Sequence, residues 1–390
     1  MKFSLKVILV SAIILIAVIP AAYGNGWISV GGGAVQINDA TYIDQTDTYT
    51  DTVTGNHVDI KVIVNNGIDA YFNTPGIHKN EVNGDLLVGY YLSSGPADYI
   101  KCTQRAFNAA GETASASTEI KEGSLSDYEG WASAKTEGVS ASQSFYEAGG
   151  GEISTGETAK SDLGKAVTST AVFNGYIADY NGDAEAGYNE YSDSDSLMAS
   201  RDISAAFTEK IELKNTVFQP DQSKASVTTV AKGSIENGPA VVFDYFGGSV
   251  VGGSTLPWLG PVSAGQGYYV IAGDEITINS AAFNSAGYKA SVTTEVLNGA
   301  VGSWVDIFPT IFPTDFATLY PDTSLMAVTG SDAGPNWVEA ENIKLTANAQ
   351  ISPKVKESAS FDGPYEGIFG NMAGYYGDDG DLWAYTYPYD

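Results

Sequence analysis

The hexapeptide Lys224-Ala-Ser-Val-Thr-Thr229 recurs letter for letter as Lys289-Ala-Ser-Val-Thr-Thr294. Each copy runs on into a glycine, within Ala231-Lys232-Gly233-Ser234-Ile235 and Leu297-Asn298-Gly299-Ala300-Val301. With this template in hand, weaker copies emerge at Thr113–Leu125 (TASASTEIKEGSL) and Lys165–Ile177 (KAVTSTAVFNGYI). Val58–Ile68 and Lys356–Tyr365 fit more loosely. Alignment on the glycine selects Gly67, Gly123, Gly175, Gly233, Gly299 and Gly363, with gaps of 56, 52, 58, 66 and 64 residues. Self-similarity at a period of about 60 residues is the signature of an array, a solenoid or a propeller.

Strand chemistry fills each copy. Around Asn298-Gly299 a two-residue turn would set Leu297 opposite Ala300 and Val296 opposite Val301. Further out it would pair Thr294 with Ser303, Val292 with Val305 and Ala290 with Ile307. Alternation then gathers Ala290, Val292, Thr294 and Val296 on one face and Ser291, Thr293 and Glu295 on the other. Asn-Gly is the dipeptide of a type I′ hairpin turn, and Asn174-Gly175 and Asp362-Gly363 repeat that chemistry. β-Branched, tyrosine and small residues dominate, and no stretch after the leader sustains a helical period. The expected fold is all-β: a degenerate array of about six antiparallel β-hairpin repeats, elongated or solenoid-like. The alternatives are a six-bladed β-propeller and a β-sandwich.

Two insertions interrupt the pattern. Residues 250–267 are rich in glycine and proline, and 307–336 open with the tandem IFPTIFPT, carrying Phe308 and Phe312. Proline there removes ladder hydrogen bonds. The tail, Asp381–Asp390 (DLWAYTYPYD), alternates like a final strand, with donation to another subunit as the alternative.

The beginning of the chain reads as an address. Lys2 and Lys6 precede the apolar run Val7–Pro20, and Ala22-Tyr23-Gly24 supplies small residues for cleavage. Residues 1–24 are therefore read as a secretory signal peptide, with 25–390 as the β-repeat region. The apolar run is short for a membrane span, and no later stretch approaches that length. The expected location is extracellular or on the cell surface.

The 390 residues carry 19 Lys+Arg against 47 Asp+Glu, a formal charge of −28, which loss of Lys2 and Lys6 takes to −30. Hydrophobic residues at 43% permit a large core, so the acidity is not that of a disordered chain. Such a surface repels phosphate backbones, which excludes nucleic acid as a partner. The single cysteine, Cys102, forms no intrachain disulfide and no Cys-type zinc site. It is read as a small buried hydrophobe, and His57 and His78 as surface residues rather than ligands.

Motifs for chemistry are scarce. G-x-S-x-G, H-E-x-x-H, a P-loop and G-x-G-x-x-G are all missing. The expected protein is not an enzyme. A carboxylate-based polysaccharide hydrolase or lyase is the third reading, because glycosidases need only two acids. Calcium suits acid-rich segments better, since it takes several oxygen ligands. Asp179, Asn181, Asp183 and Glu185 stand at alternate positions as the candidate metal ligands, although the glycine falls where an EF-hand loop would not have it. Asp44 with Asp47 and Asp51, Asp193 with Asp195, and Asp378-Asp379 with Asp381 are further clusters, read as solvated loops between hairpins.

An exported, acidic, Tyr- and Gly-rich chain of KASVTT/Asn-Gly-type repeats resembles the cell-surface structural proteins of archaea. In particular it resembles the β-rich sheath and fibre subunits of filamentous methanogens. That resemblance implies self-assembly into a sheath, fibre or surface layer, with no catalytic site. Exposed edges recruit further chains, while a charge near −30 opposes association unless divalent cations intervene. The runner-up is a calcium-dependent adhesin or carbohydrate-binding surface protein, with Trp258, Trp304, Trp337 and Trp383 stacking on cell-surface polysaccharide.

Overall fold

The structure is a computed structural model. It describes residues 27–30, 33–37, 41–74, 77–189, 194–220, 222–233, 240–243, 248–252, 262–285, 287–307, 310–311, 325–329, 337–375 and 381–389. The segment 1–24 expected to be a signal peptide, Trp258, Phe308, Phe312, Asp193, Asp378 and Asp379, with most of the two insertions, lie outside the described residues.

Every described element is a strand, and every pairing is antiparallel within a single sheet. The chain begins with β1 (Trp27–Val30), β2 (Gly33–Ile37), β3 (Thr41–Thr50), β4 (His57–Gly67), β5 (Ala70–Thr74) and β6 (Ile77–Asn80). Five long strands follow: β7 (Leu86–Phe107), β8 (Thr113–Ala134), β9 (Gly138–Ser161), β10 (Gly164–Asn189) and β11 (Ser194–Phe218). Then come β12 (Lys224–Lys232), β13 (Ala240–Phe243), β14 (Gly248–Gly252), β15 (Val262–Phe283), β16 (Lys289–Ile307) and β17 (Thr310–Ile311). The chain closes with β18 (Leu325–Thr329), β19 (Trp337–Ser352), β20 (Val355–Tyr375) and β21 (Leu382–Tyr389).

The strands are too long for a flat sheet, and they fold double. Tyr90 and Gln104 belong to the same strand, yet their side chains meet at 2.8 Å. A straight strand would hold them about 46 Å apart. Gln143 and Glu157 of β9 meet in the same way at 2.7 Å. Each rung therefore runs out along one leaf, bends, and returns along a second leaf facing it. In the first leaf the order is β3, β4, then the outer halves of β7 to β11, β12, and halves of β15, β16, β19 and β20. These rungs stack to roughly 50 Å at about 4.8 Å per strand. The two leaves enclose one continuous core running from Ile43 to Ala373.

Alternation sets the core, as read from the sequence. Ala290, Val292, Thr294 and Val296 are all buried, and Ser291, Thr293 and Glu295 point outward. The two KASVTT copies flank the same strand: Lys224 and Lys289 both pair with Phe283, and Ser226 and Ser291 with Ala281. One repeat is thus a step of two rungs along the array. The turns that precede the Thr113 and Lys289 copies are also related. Phe107-Asn108-Ala-Ala-Gly111 and Phe283-Asn284-Ser-Ala-Gly287 place glycine at φ +84° and +87°. Asn108 and Asn284 accept hydrogen bonds from the amides of Glu112 and Tyr288 at 3.1 and 2.9 Å.

The six aligned glycines do not close hairpins. β16 runs unbroken through Asn298-Gly299, and Thr294 pairs with Ile278 and Leu345, not Ser303. A type I′ turn needs positive φ at both central residues. Only Asn298 is left-handed, at φ +47°, and Gly299 is not. Asn66, Glu122 and Asn174 repeat this at +53°, +52° and +50°. A single left-handed residue kinks a strand without reversing it, so these are the bends between leaves. They fall on every second rung, which accounts for the period of about 60 residues. Glycine follows because the next strand crowds the bend. A Cβ on Gly123, Gly175 or Gly299 would stand 2.7 Å from Gly150 Cα, Thr208 Cβ or Ala340 Cα.

The far ends of the leaves also meet. Asp51, in the turn after β3, accepts amide hydrogen bonds from Val53 and Thr54 and an ion pair from Lys79 at 2.7 Å. Lys79 lies on the opposite leaf. These partners, with Lys79 foremost, hold the Asp51 carboxyl well below the usual carboxylate range. A lowered folded-state value contributes stability above the ordinary pKa of 3.8 that is lost as pH falls below it. Asp51→Asn is expected to cost about 1–2 kcal/mol at pH 7 in denaturant titrations and to flatten the acid limb below pH 4.

Candidate functional site

Inward positions of the strands carry more than aliphatic side chains. Phe72, Tyr90, Tyr128, Phe145 and Tyr180 form an aromatic column across successive rungs, with centroid separations of 6.0, 5.6, 6.4 and 4.8 Å. Their hydroxyls feed a buried polar network. Tyr128 reaches Gln104 and Gln143 at 3.0 and 2.9 Å, and Thr118 donates to Gln143 at 2.8 Å. Gln143 Nε2 and the Tyr180 hydroxyl donate to Glu157 Oε1 at 2.7 and 2.8 Å, and Thr168 donates to Oε2. Glu157 is fully buried, and desolvation pushes its carboxyl up from 4.5 to about 7 against the opposing effect of these donors and of Arg201. Further along the array Tyr268, Thr229 and Gln266 form a second such cluster, and Asn371 donates to the carbonyls of Thr293 and Thr346.

The two ends of the array differ from its middle. β3 pairs only with β4 among the described residues. Its inward row is Ile43, Gln45, Asp47 and Tyr49, of which only Ile43 is buried. At the other end, residues 355–367 pair only with β19 among the described residues, because β21 covers Ile368–Tyr375. Opposite them Leu345, Ala347 and Ala349 are buried, yet Ala359, Phe361 and Tyr365 are only partly covered. Glu357 points inward beside them and is exposed. Inward-pointing acids such as Asp47 and Glu357 are a natural brake on edge-to-edge pairing.

The residues singled out by sequence are scattered. Asn181, Asp183 and Glu185 occupy alternate outward positions of β10, and Asp179 sits at a bend of the same strand with φ +49°. They line a strand, not a loop, at spacings near 6.7 Å. Among the described residues no three His, Cys, Asp or Glu side chains converge to hold one ion. Asp183 is exposed on that face, and partial desolvation by its neighbours raises its carboxyl. Acids are not confined to loops: Glu119, Glu152, Glu275 and Glu295 lie on strands and pair with Lys101, Lys121, Lys232 and Lys344 at 2.6–3.2 Å. Cys102 is buried in β7, and burial pushes its thiol up. His57 contacts Thr50 at 2.7 Å and packs on Phe107, and His78 is half-buried in β6. Trp337 and Trp383 lie across Gly302 and Gly374 of the adjacent strands, as Trp131 lies across Gly89. Trp304 falls within β16.

The fold and these ends define an antiparallel β array folded double along its length. No family model, curated protein or solved structure matches the chain. No helix among the described residues is long and apolar enough to cross a membrane, which says nothing of strands.

Proposed function

We propose that this is an exported structural protein of the cell surface that self-associates through the ends of its β array. The observation that carries this reading is the partly covered inward pair Ala359 and Phe361, on an edge that pairs only with β19 among the described residues, beside a middle whose inward rows are buried. Strand direction supports it. β3 and the first half of β20 run in opposite senses, so a second copy stacked head-to-tail continues the antiparallel alternation across the junction. Asp47, Glu357 and the net charge oppose that junction, so protons or divalent cations such as calcium promote it.

Negative-stain microscopy and sedimentation of the purified chain from residue 25 onward, at pH 5 and 7 with and without calcium, test this. Regular filaments or sheets are expected, favoured by acid or calcium. Phe361→Glu is expected to abolish them without lowering the melting temperature by more than a few degrees, because Phe361 is half-exposed. Monodisperse monomers under every condition overturn the proposal. The adhesin reading draws support from outward aromatics, Tyr146 and Tyr269, which are 62% and 58% exposed. Glycan-array binding lost in Tyr146→Ala would favour it.

A further inference from the structure

Glu157 and Arg201 cross the interior in opposite directions. Glu157 belongs to the first-leaf half of β9, and its carboxyl lies against the second leaf, where Gln143 and Tyr180 donate to it. The floor of that site is Gly182, which pairs with Gln143 on one side and Arg201 on the other. A Cβ at Gly182 would stand 2.5 Å from Glu157 Cδ, so glycine leaves the socket that the carboxyl fills. Arg201 makes the reverse crossing. It starts on the second leaf, and its Nη1 donates to the carbonyls of Ser169 and Lys214 on the first leaf at 2.9 and 3.5 Å. Its Nε and Nη2 find no hydrogen-bond partner, although the side chain is buried.

We propose that this crossed pair is a proton-controlled latch between the two leaves, closed while Glu157 is neutral and loosened when it ionises. A neutral carboxyl accepts from Gln143 and Tyr180 on one oxygen and shares a hydrogen bond with Thr168 on the other. Ionisation places a full charge in a fully buried site, which desolvation opposes. The titratable and charged groups facing it are Tyr128 from β8, Tyr180 from β10 and Arg201 from β11. Burial keeps both tyrosines neutral, well above their ordinary range, so neither supplies a compensating charge. Arg201 attracts the carboxylate, but less than desolvation opposes it. The raised folded-state value means that the latch is fully closed below the unfolded value of 4.5 and weakens as pH rises toward about 7.

Native-state hydrogen exchange tests the latch, with protection factors for the amides of residues 153–159 and 166–172 corrected for intrinsic chemistry. In the wild-type chain protection is expected to fall between pH 5 and pH 8, by up to about 70-fold if the full shift is expressed locally, since pH 5 already lies above the unfolded value. Glu157→Gln keeps the shape and the neutral hydrogen bonds, and its protection at these amides is expected to be the same at both pH values. Equal wild-type protection at pH 5 and 8, or a variant that retains the full dependence, overturns the proposal. Should the variant not fold, the 13C titration of the Glu157 carboxyl decides: a midpoint near 7 supports the latch and one below 5 overturns it. The exchange measurements, on chains wild type or variant at Glu157, are made in the Phe361→Glu background, where filaments are expected to be abolished, so that acid-favoured assembly does not contribute to the protection at pH 5.

Discussion

Tyr128→Ala is expected to lower the unfolding free energy by about 3–5 kcal/mol, measured by denaturant titration at pH 6. Tyr128 is among the largest fully buried side chains and sits mid-column, between Tyr90 and Phe145. Its removal opens a cavity that two leaves of hydrogen-bonded strand cannot collapse to fill. It also strips a partner from Gln104 and Gln143, whose amides hold the leaves together. Tyr128→Phe separates the two contributions. It keeps the ring and loses only the hydroxyl, so about 1–2 kcal/mol is expected. Equal losses in the two variants would mean that packing contributes nothing at this position.

Gly175→Val is expected to prevent folding or to cost more than about 3 kcal/mol, read as loss of soluble protein or a fall in melting temperature. The added Cβ would lie 2.7 Å from Thr208 Cβ and press on the backbone of the next strand, which has strand neighbours on its far side. Neither strand can yield without breaking its ladder. Asn174→Gly is the matched control. Asn174 is left-handed at φ +50°, a conformation that glycine adopts freely, and its hydrogen bond to Glu209 is exposed. That variant is expected to lie within about 0.5 kcal/mol of wild type, whereas Asn174→Val costs about 1–2 kcal/mol. A chain that tolerates valine at both positions would contradict the bend described here. Gly299 and Gly123 occupy equivalent bends, so the same contrast applies to Asn298-Gly299.

These two variants mark where the sequence was readable. The alternation of Lys289 to Val296 is local chemistry, and it assigned inward and outward faces correctly. The Asn-Gly positions do mark special backbone, but as kinks rather than the hairpin turns that the dipeptide suggests. A left-handed asparagine followed by glycine suits a reversal and a kink equally well. The choice depends on whether the close neighbour comes from the same hairpin or from the next strand. Glu157 carried a legible signal, because it shares parity with Ile153 and Ala159 on an otherwise inward row. Arg201 shares parity with Ala199 and Ile203 in the same way. That the two cross was not legible, since they are joined only when β9 and β11 fold back on themselves. Asp179, Asn181, Asp183 and Glu185 show the converse: their composition makes them candidate metal ligands, and a continuous strand spreads them along one outer face.

Sequence alone determined that the chain is all-β, repetitive at about 60 residues, and alternately apolar and polar along each strand, because these are properties of neighbouring residues. Tertiary structure alone decided that one sheet folds double, that the glycines are bends, and that a buried polar network ties the leaves. Those outcomes depend on contacts between residues many positions apart, where backbone crowding and desolvation, not local propensity, select the arrangement.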